Sequence, residues 1–161
     1  MTDDQASEAL RWIAGILRHV GAKYQVVGGL AVRAYGGTRE LVDLDLYVES
    51  ARYTEVIDRV GDACVWGPEE YQDAMWDLRF AKIDWGGVRI EVAEADGARY
   101  FDRLRGVWTD QEVDFARSEE RKVLGVTLPV MPREQLVSYK RGLDREVDRL
   151  DVQELEEEPK S

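Results

Sequence analysis

The stretch VVGGLAVRAYGGTRELVDLDLYVE, residues 26–49, contains two aspartates, Asp43 and Asp45, one residue apart. Around them, LVDLDLYVE alternates between apolar and polar side chains, which is typical of a β-strand with one face in the core. Leu44 and Leu46 share the apolar face, and the two aspartates share the other. Aspartate is a poor strand former, and two carboxylates about 6.6 Å apart along a strand repel each other. The pattern therefore predicts a positive charge between them.

The aspartate pair by itself has two interpretations. In the simpler one, Asp43 and Asp45 lie on a solvent-facing strand face, where their charge costs little. In the other, the carboxylates bind a cation. Oxygen-only ligands select hard cations, so Mg²⁺ or Mn²⁺ is then the natural occupant, with a nucleoside triphosphate completing its coordination.

Length and composition limit the class of protein. The chain has 161 residues, of which 44% are apolar, and this is enough for the core of one domain. We expect a single domain over residues 1–155 and an acidic disordered tail over residues 156–161. Cys64 and His19 are the sole cysteine and histidine, so a disulfide framework is excluded and a Cys/His zinc site nearly so.

Charge and hydropathy indicate the kind of partner. The formal net charge is −11, which disfavours nucleic acid as a partner because phosphate neutralisation dominates such binding. The first residues, MTDDQASEAL, are acidic where a signal peptide is basic, and no apolar run reaches membrane-spanning length. We therefore expect a cytoplasmic protein that has no membrane partner and that acts on small or cationic molecules or on another protein.

The remaining pattern predicts an α/β (α+β) fold, a small mixed β-sheet with helices packed on it. Thr2 and Gln5 form a possible capping box at the start of an amphipathic helix that ends at Gly21. The strand KYQVV precedes Gly28-Gly29, which begin a short helix, and Gly86-Gly87 join RFAKIDW to VRIEVAE in a hairpin. Other predicted elements are a helix over 51–63, a strand at VTLPVMP, a helix from Pro132 to Lys140 and a helix from Asp144 to Leu155. Residues 96–120 receive no assignment.

Three known classes of protein use such an aspartate pair. A phosphatase of the haloacid-dehalogenase type has an apolar strand that ends at its first aspartate, whereas here GTRELV precedes Asp43 and LYV continues the strand beyond Asp45. A glycosyltransferase D-x-D motif is short enough to occur by chance and has no support elsewhere in the chain. The third class has a glycine pair opening a short helix, an aspartate pair in a strand about a dozen residues later, and a carboxylate on a neighbouring strand.

The chain resembles this third class, the polymerase-beta-like nucleotidyltransferase superfamily. Gly28-Gly29 follow YQVV, thirteen residues separate Gly29 from Asp43, and RIEV offers Glu91. The segment GGLAVRAYGGTRELVDLDLYV is similar to small bacterial members, in which an arginine, here Arg39, precedes the aspartates. LPVMPREQLVSYKRGLDREVDRLDVQEL is also similar to their C-terminal helices, so the resemblance spans residues 24–155.

The resemblance implies nucleotidyl transfer, in which an NMP, most simply AMP from ATP, moves to a hydroxyl of a small-molecule or protein acceptor. Asp43 and Asp45 would bind the Mg²⁺ or Mn²⁺ that carries the triphosphate. Together with Glu91, they would bind a second ion that activates the acceptor, and Glu91 would be the general base. Asp84, in IDW on the other arm of the hairpin, is the rival third carboxylate.

The resemblance also implies which residues bind the nucleotide. Gly28 and Gly29 would present backbone N–H groups to a phosphate, and Arg39 and Lys140 would contact the triphosphate. For both cations the alternative is a surface ion pair of little consequence for stability.

Other charged residues and segments have less specific interpretations. Arg145, Asp148 and Asp151 are spaced three apart, which suits an ion-pair ladder along one helix; a role for Arg145 near the site is the alternative. The acceptor would be recognised by the variable segments Gly67–Leu78 and Gly97–Arg121, and a homodimer is a further expectation.

Two departures from the superfamily pattern favour a second hypothesis. Leu41 stands where relatives often have threonine, and the glycine pair lacks the serine that many use to hold a phosphate. The alternative is therefore a catalytically inactive module of the same fold, antitoxin-like or regulatory, that binds a nucleotide or a partner protein. The two hypotheses separate on whether Asp43, Asp45 and Glu91 converge within metal-binding reach.

Overall fold

The computed structural model describes residues 1–157, which fold around one mixed β-sheet. Its helices are α1 (Asp3–Val20), α2 (Gly28–Ala34), α3 (Ser50–Val60), α4 (Arg133–Leu143) and α5 (Glu146–Glu157). Its strands are β1 (Tyr24–Val27), β2 (Leu44–Val48), β3 (Cys64–Gln72), β4 (Trp76–Trp85), β5 (Val88–Glu94), β6 (Arg99–Asp102), β7 (Val107–Asp110), β8 (Glu119–Val123) and β9 (Val126–Val130). The prediction of an α+β fold with a mixed sheet is confirmed.

The sheet order is β7-β6-β4-β5-β2-β1-β9-β8, and β3 pairs with β4 outside this path. The pairs β2/β5 and β1/β9 are parallel, and the other pairs are antiparallel. The central strands β2 and β5 contribute fully buried side chains to the core, Leu44, Leu46, Ile90 and Val92 among them. Burial of this apolar surface fixes the register of β2, since a slip of one residue would move its leucines out of the core.

The predicted capping box of α1 is present. The Thr2 hydroxyl accepts from the Gln5 N–H at 3.1 Å, and the Gln5 side chain accepts from the Thr2 N–H at 2.8 Å. The helix ends at Gly21, whose φ of +76° is the left-handed conformation of a helix C-cap. Between these caps, one face of α1 packs on the sheet, and the Trp12 ring stacks on that of Trp85 with centroids 5.4 Å apart.

The predicted glycine hairpin is also present. Trp85 pairs with Val88, so Gly86 and Gly87 form a two-residue turn. Their φ angles are +59° and +82°. Positive φ at both turn residues matches the right-handed twist of the flanking strands, and glycine adopts it without steric cost.

Several boundaries differ from the predicted ones. Strand β2 begins at Leu44, so Asp43 lies just before it. Helix α4 begins at Arg133, with Pro132 as its N-cap. Asp144 belongs to the C-cap of α4 rather than to α5, because its φ of +52° cannot continue a helix. In the predicted tail, residues 156 and 157 belong to α5, and 158–161 lie outside the described residues.

Four of the nine observed strands lie in segments for which no strand was predicted. Strand β3 lies between the predicted helix over 51–63 and the hairpin, and β6, β7 and the start of β8 lie within 96–120. Strands β6 and β7 have four residues each and pair mainly with each other. None of the helices within residues 1–157 combines the length and the apolar composition of a membrane span.

Candidate active site

Three carboxylates meet at one end of the central strand pair. Asp43 immediately precedes β2 and Asp45 is the second residue of β2. Glu91 on β5 lies directly beside Asp45 in the parallel register. One oxygen of each carboxylate lies within 4.8 Å of an oxygen of each of the others. These are the three residues that the sequence selected as metal ligands, and the structure brings them together.

Asp84 does not join this group. It is exposed, lies opposite Arg89 in the hairpin, and accepts a hydrogen bond of 3.1 Å from the Gly87 N–H. Its carboxylate therefore stabilises the glycine turn. Of the two candidates for the third carboxylate, Glu91 is the one beside the aspartates.

The electrostatics of the group favour a bound cation. Burial raises the pKa of Asp45 well above its usual range, and the charges of Asp43 and Glu91 raise it further, while Lys140 opposes them. Burial and Asp43 also raise the pKa of Glu91, against the lowering effect of Lys82 and Arg89. A divalent cation would offset the repulsion among the carboxylates, which adds to the effect of burial on both pKa values. An oxygen-only set of three carboxylates fits Mg²⁺ or Mn²⁺.

The glycine pair leaves room for two side chains of the site. Gly28 has a φ of +65°, and a Cβ there would overlap the Asp45 carboxylate. A Cβ on Gly29 would lie 3.0 Å from Nη2 of Arg39. The sequence indicated only a phosphate-binding role for these glycines, which stays a prediction. Their steric role is an additional finding.

Four cations line the same cleft, whose volume is about 570 Å³, namely Lys82 on the β4 wall and three more from other elements. These three are Arg39 from the loop before β2, Lys140 from α4 and Arg145 from the corner before α5. Lys140 is only 3% exposed, and its Nζ lies 3.2 Å from Asp148 and 3.1 Å from Asp151. The surface alternative for Lys140 is therefore wrong, while its contact with phosphate stays a prediction.

The predicted ion-pair ladder of Arg145, Asp148 and Asp151 is present only in its first pair. Asp148 and Asp151 are fully buried. Asp151 accepts a forked pair of hydrogen bonds from Arg39, both of 2.9 Å, and so bridges two distant parts of the chain. Only the pair between Arg145 and Asp148 has the predicted local spacing. Helical spacing shows which residues share a face, but not whether that face is buried.

The opposite wall of the cleft is largely apolar and was not anticipated. It is formed mainly by alternate residues of β4, with one residue of β3, namely Tyr71, Trp76, Leu78 and Phe80. The alternation in WDLRFAK is the signal that could have revealed it. Of the two segments expected to recognise the acceptor, Gly67–Leu78 contributes to the lining, whereas none of the lining residues lies in Gly97–Arg121.

Comparison with known proteins agrees with this geometry. The family model of aminoglycoside-2''-adenylyltransferase matches residues 9–155. The chain belongs to the aminoglycoside-2''-adenylyltransferase family. The predicted resemblance to nucleotidyltransferases is therefore confirmed, as is the prediction of an enzyme class. No curated protein sequence matches the chain significantly.

Solved structures of nucleotidyltransferases share the fold of this adenylyltransferase-family chain. A proposed nucleotidyltransferase from Thermotoga maritima superposes with a TM-score of 0.73 at 19% identity, over 99% of this chain and 97% of that one. The lincosamide antibiotic adenylyltransferase LnuA, with lincomycin bound, gives 0.64 at 18%, over 94% and 97%. ANT(2'')-Ia in complex with adenylyl-2''-tobramycin gives 0.58 at 14%, over 94% and 87%. At these identities, the likeness establishes the fold.

Proposed function

We propose that this member of the family transfers AMP from ATP to a hydroxyl group of a small cationic molecule. The observation that carries the proposal is the convergence of Asp43, Asp45 and Glu91 within 4.8 Å. Convergence is the feature that separates an active transferase from an inactive module of the same fold, and it supports the active one. Membership of the family supports transfer of AMP in particular.

In the reaction, the acceptor oxygen attacks the α-phosphorus of ATP, and the bond from that phosphorus to the bridging oxygen of pyrophosphate breaks. Asp43, Asp45 and Glu91 would hold divalent cations, which when bound neutralise the triphosphate and acidify the attacking hydroxyl. Glu91 takes the proton of that hydroxyl. Its place on β5 beside Asp45 puts it at the same end of the cleft as the two aspartates, which is the position that a general base for the attacking hydroxyl needs.

The donor would lie on the cationic side of the cleft. Arg39, Lys140 and Arg145 line that side and can donate N–H groups to phosphate oxygens. Gly28 lies beside Asp45 and Gly29 beside Arg39, and their backbone N–H groups would be further donors to phosphate. Pyrophosphate then leaves as an anion that these groups stabilise.

The acceptor would lie against the β3–β4 wall. Tyr71, Leu78 and Phe80 offer an apolar surface for a ring face, and Asp73 lies beside them in the cleft. Partial burial opposes ionisation of Asp73, but hydrogen bonds from the backbone of Trp76 and Met75 and from the Tyr71 hydroxyl lower its pKa. Asp73 thus stays ionised, and with the net charge of −11 it favours a cationic acceptor. A cytoplasmic location and a homodimer stay predictions.

The proposal is tested by calorimetric titration of ATP, GTP, CTP and UTP in the presence of Mg²⁺. We expect ATP to bind only with the metal, and the double variant Asp43→Asn/Asp45→Asn to lose this binding. The control is Asp58→Asn/Asp62→Asn, which removes the same charge from exposed positions and should bind as the wild type does. If the folded wild-type protein binds no triphosphate, the transferase proposal fails and the inactive, partner-binding module takes its place.

Transfer itself is followed with ATP labelled at the α- or the γ-phosphorus and a panel of aminoglycosides. Transfer of AMP carries the α-label to the acceptor and leaves the γ-label in pyrophosphate. A γ-label on the acceptor, with the α-label left on the nucleotide, would indicate phosphoryl transfer and contradict the proposal.

A further inference from the structure

Five charged side chains form a continuous chain beside the cleft. Arg39 binds Asp151 through Nε and Nη2, both at 2.9 Å. Lys140 Nζ bridges Asp151 and Asp148 at 3.1 and 3.2 Å. Arg145 binds Asp148 through Nε at 2.6 Å and Nη2 at 3.0 Å. The order is therefore cation, acid, cation, acid, cation, and its members come from the loop before β2, from α4, and from α5 with the corner before it.

The two acids and the three cations face different surroundings. Asp148 and Asp151 are fully buried and are absent from the cleft lining, whereas Arg39, Lys140 and Arg145 all belong to that lining. A bound substrate can therefore touch the cations but not the acids. Any effect of the acids on a substrate must act through the position of the cations.

The charges within this chain do not balance. Three cations face two carboxylates, so one positive charge is left over on the cleft side. A purely structural network would be most stable with paired charges, because an unpaired charge near the interior is costly. Asp45, whose charge acts on Lys140 across the same cleft, supplies part of the compensating negative charge, so it is the hydrogen-bond donors that indicate a bound anion.

Hydrogen-bond donors show the same surplus. Every oxygen of Asp148 and Asp151 accepts at least one N–H from the three cations. A guanidinium has five N–H groups, and Arg39 and Arg145 use only Nε and Nη2 on the acids. Within residues 1–157, neither Nη1 of Arg39 nor Nη1 of Arg145 has a hydrogen-bond partner. These donors remain for a ligand with many oxygens.

We propose that Asp148 and Asp151 are positioning residues that hold the cation clamp, Arg39, Lys140 and Arg145, ready for the triphosphate of the donor. The inference rests on the proposed function. Free arginine and lysine side chains lose much rotamer entropy when they bind a ligand. The buried carboxylates impose this order when the protein folds, so ATP binding does not have to. Bidentate pairing of Asp151 with Arg39 also fixes the direction of the guanidinium plane.

The competing explanation is that the acids only fasten α5 to the rest of the domain. The two roles differ in what is lost on substitution. A fastening role predicts a loss of stability and a general loosening of the site. A positioning role predicts a selective loss of affinity for polyphosphate, with the carboxylate group at β2 and β5 left intact.

The test uses two ligands on the full chain. Inorganic tripolyphosphate with Mg²⁺, titrated calorimetrically, reports on the cation clamp, and Mn²⁺ alone, followed by electron paramagnetic resonance, reports on Asp43, Asp45 and Glu91. The variants are Asp151→Asn and Asp148→Asn. The control is Asp144→Asn. Asp144 pairs with Arg149 at an Nε–Oδ1 distance of 2.8 Å, and neither residue lines the cleft.

We expect both variants to weaken tripolyphosphate binding about tenfold or more, the scale of a lost charged hydrogen bond. Affinity for Mn²⁺ should stay within about threefold of the wild type, the scale of a weak surface charge effect. The Asp144→Asn control should leave both affinities unchanged.

Three results would overturn the proposal. One is unchanged tripolyphosphate affinity in folded variants, and another is parallel loss of Mn²⁺ and tripolyphosphate, which would indicate general loosening. If Asp151→Asn does not fold, Asp148→Asn carries the test, because Lys140 then keeps Asp151. The third result that would overturn the proposal is that neither variant folds, because the acids then serve stability. A wild-type protein that binds neither ligand would instead refute the proposed function itself.

Discussion

At the residue scale, the site depends on close contacts that local sequence patterns reveal only in part. Alternation around Asp43 and Asp45 predicted their shared face, and the hairpin pattern placed Glu91 on a strand, because both are properties of a few neighbouring residues. The resemblance to nucleotidyltransferases then selected Glu91, with Asp84 as its rival. The burial of Lys140 was not predictable in this way. Its partners, Asp148 and Asp151, were assigned to an ion-pair ladder within one helix, since spacing along a helix carries no information about which element covers it.

The contact between Gly28 and Asp45 leads to a first prediction. Gly28→Ala should reduce Mn²⁺ affinity at least about tenfold, because the new Cβ displaces a carboxylate that supplies a charged contact. It should also cost about 1–2 kcal/mol of the free energy of unfolding, because an L-residue is strained at φ +65°. Metal titration and urea denaturation measure the two effects.

The control for this variant is Gly21→Ala. Gly21 also has a positive φ, +76°, but a Cβ there meets nothing within 4 Å. The control should show the backbone strain alone, with unchanged Mn²⁺ affinity. Equal metal affinities in the two variants would contradict the steric role of Gly28.

At the element scale, prediction succeeded where an element carries its own start and stop chemistry. The capping box and Gly21 delimit α1, and the glycine turn delimits the β4–β5 hairpin. Strands β6 and β7 each follow a glycine of positive φ, Gly97 and Gly106, but a single glycine does not predict a strand after it. Four residues are too few to show a period, and what selects them is pairing with a distant partner.

The corner between α4 and α5 gives a pH-dependent prediction. Burial opposes ionisation of Asp148, but hydrogen bonding from Arg145 and the charge of Lys140 outweigh it and lower the pKa of Asp148. A carboxyl whose pKa is lower in the folded state stabilises the fold above its unfolded pKa, near 4. This contribution is lost as the pH falls from about 4 through the lower folded value.

Urea denaturation of wild type and Asp148→Asn at several pH values measures this contribution. The variant should be the less stable at pH 7, and the difference should shrink below about pH 4, as the wild-type carboxyl becomes protonated. The exposed substitution Asp58→Asn should show no comparable narrowing. A difference that stays constant down to pH 3 would contradict the ion-pair assignment.

At the scale of the whole molecule, α5 holds in place the loop that leads to Asp43. Glu154 accepts hydrogen bonds of 2.9 Å from both the N–H and the hydroxyl of Thr38. Arg39, the residue after Thr38, donates to Asp151. The loop between α2 and β2, which ends at Asp43, is thus held against the last helix of the described chain.

Removal of one of these contacts should loosen the loop without unfolding the domain. Glu154→Ala should increase amide hydrogen exchange in residues 36–43, because the Thr38 N–H loses its acceptor, and should weaken Mn²⁺ binding several-fold through Asp43. Exchange in β4 and β5 should not change. The matched control is Gln153→Ala, an exposed neighbour on α5, for which faster exchange in the loop would show that the effect is not specific to Glu154.

The pairing of Arg39 with Asp151 joins residues that are 112 positions apart in the sequence. During synthesis, the glycine pair and all three carboxylates leave the ribosome long before the acids of α5 do. A partly made chain, or one cut ahead of α5, could therefore assemble the carboxylate group but would lack both buried acids. If the acids position the cation clamp as proposed, the triphosphate site is completed only after the sheet has closed and the last helix has docked.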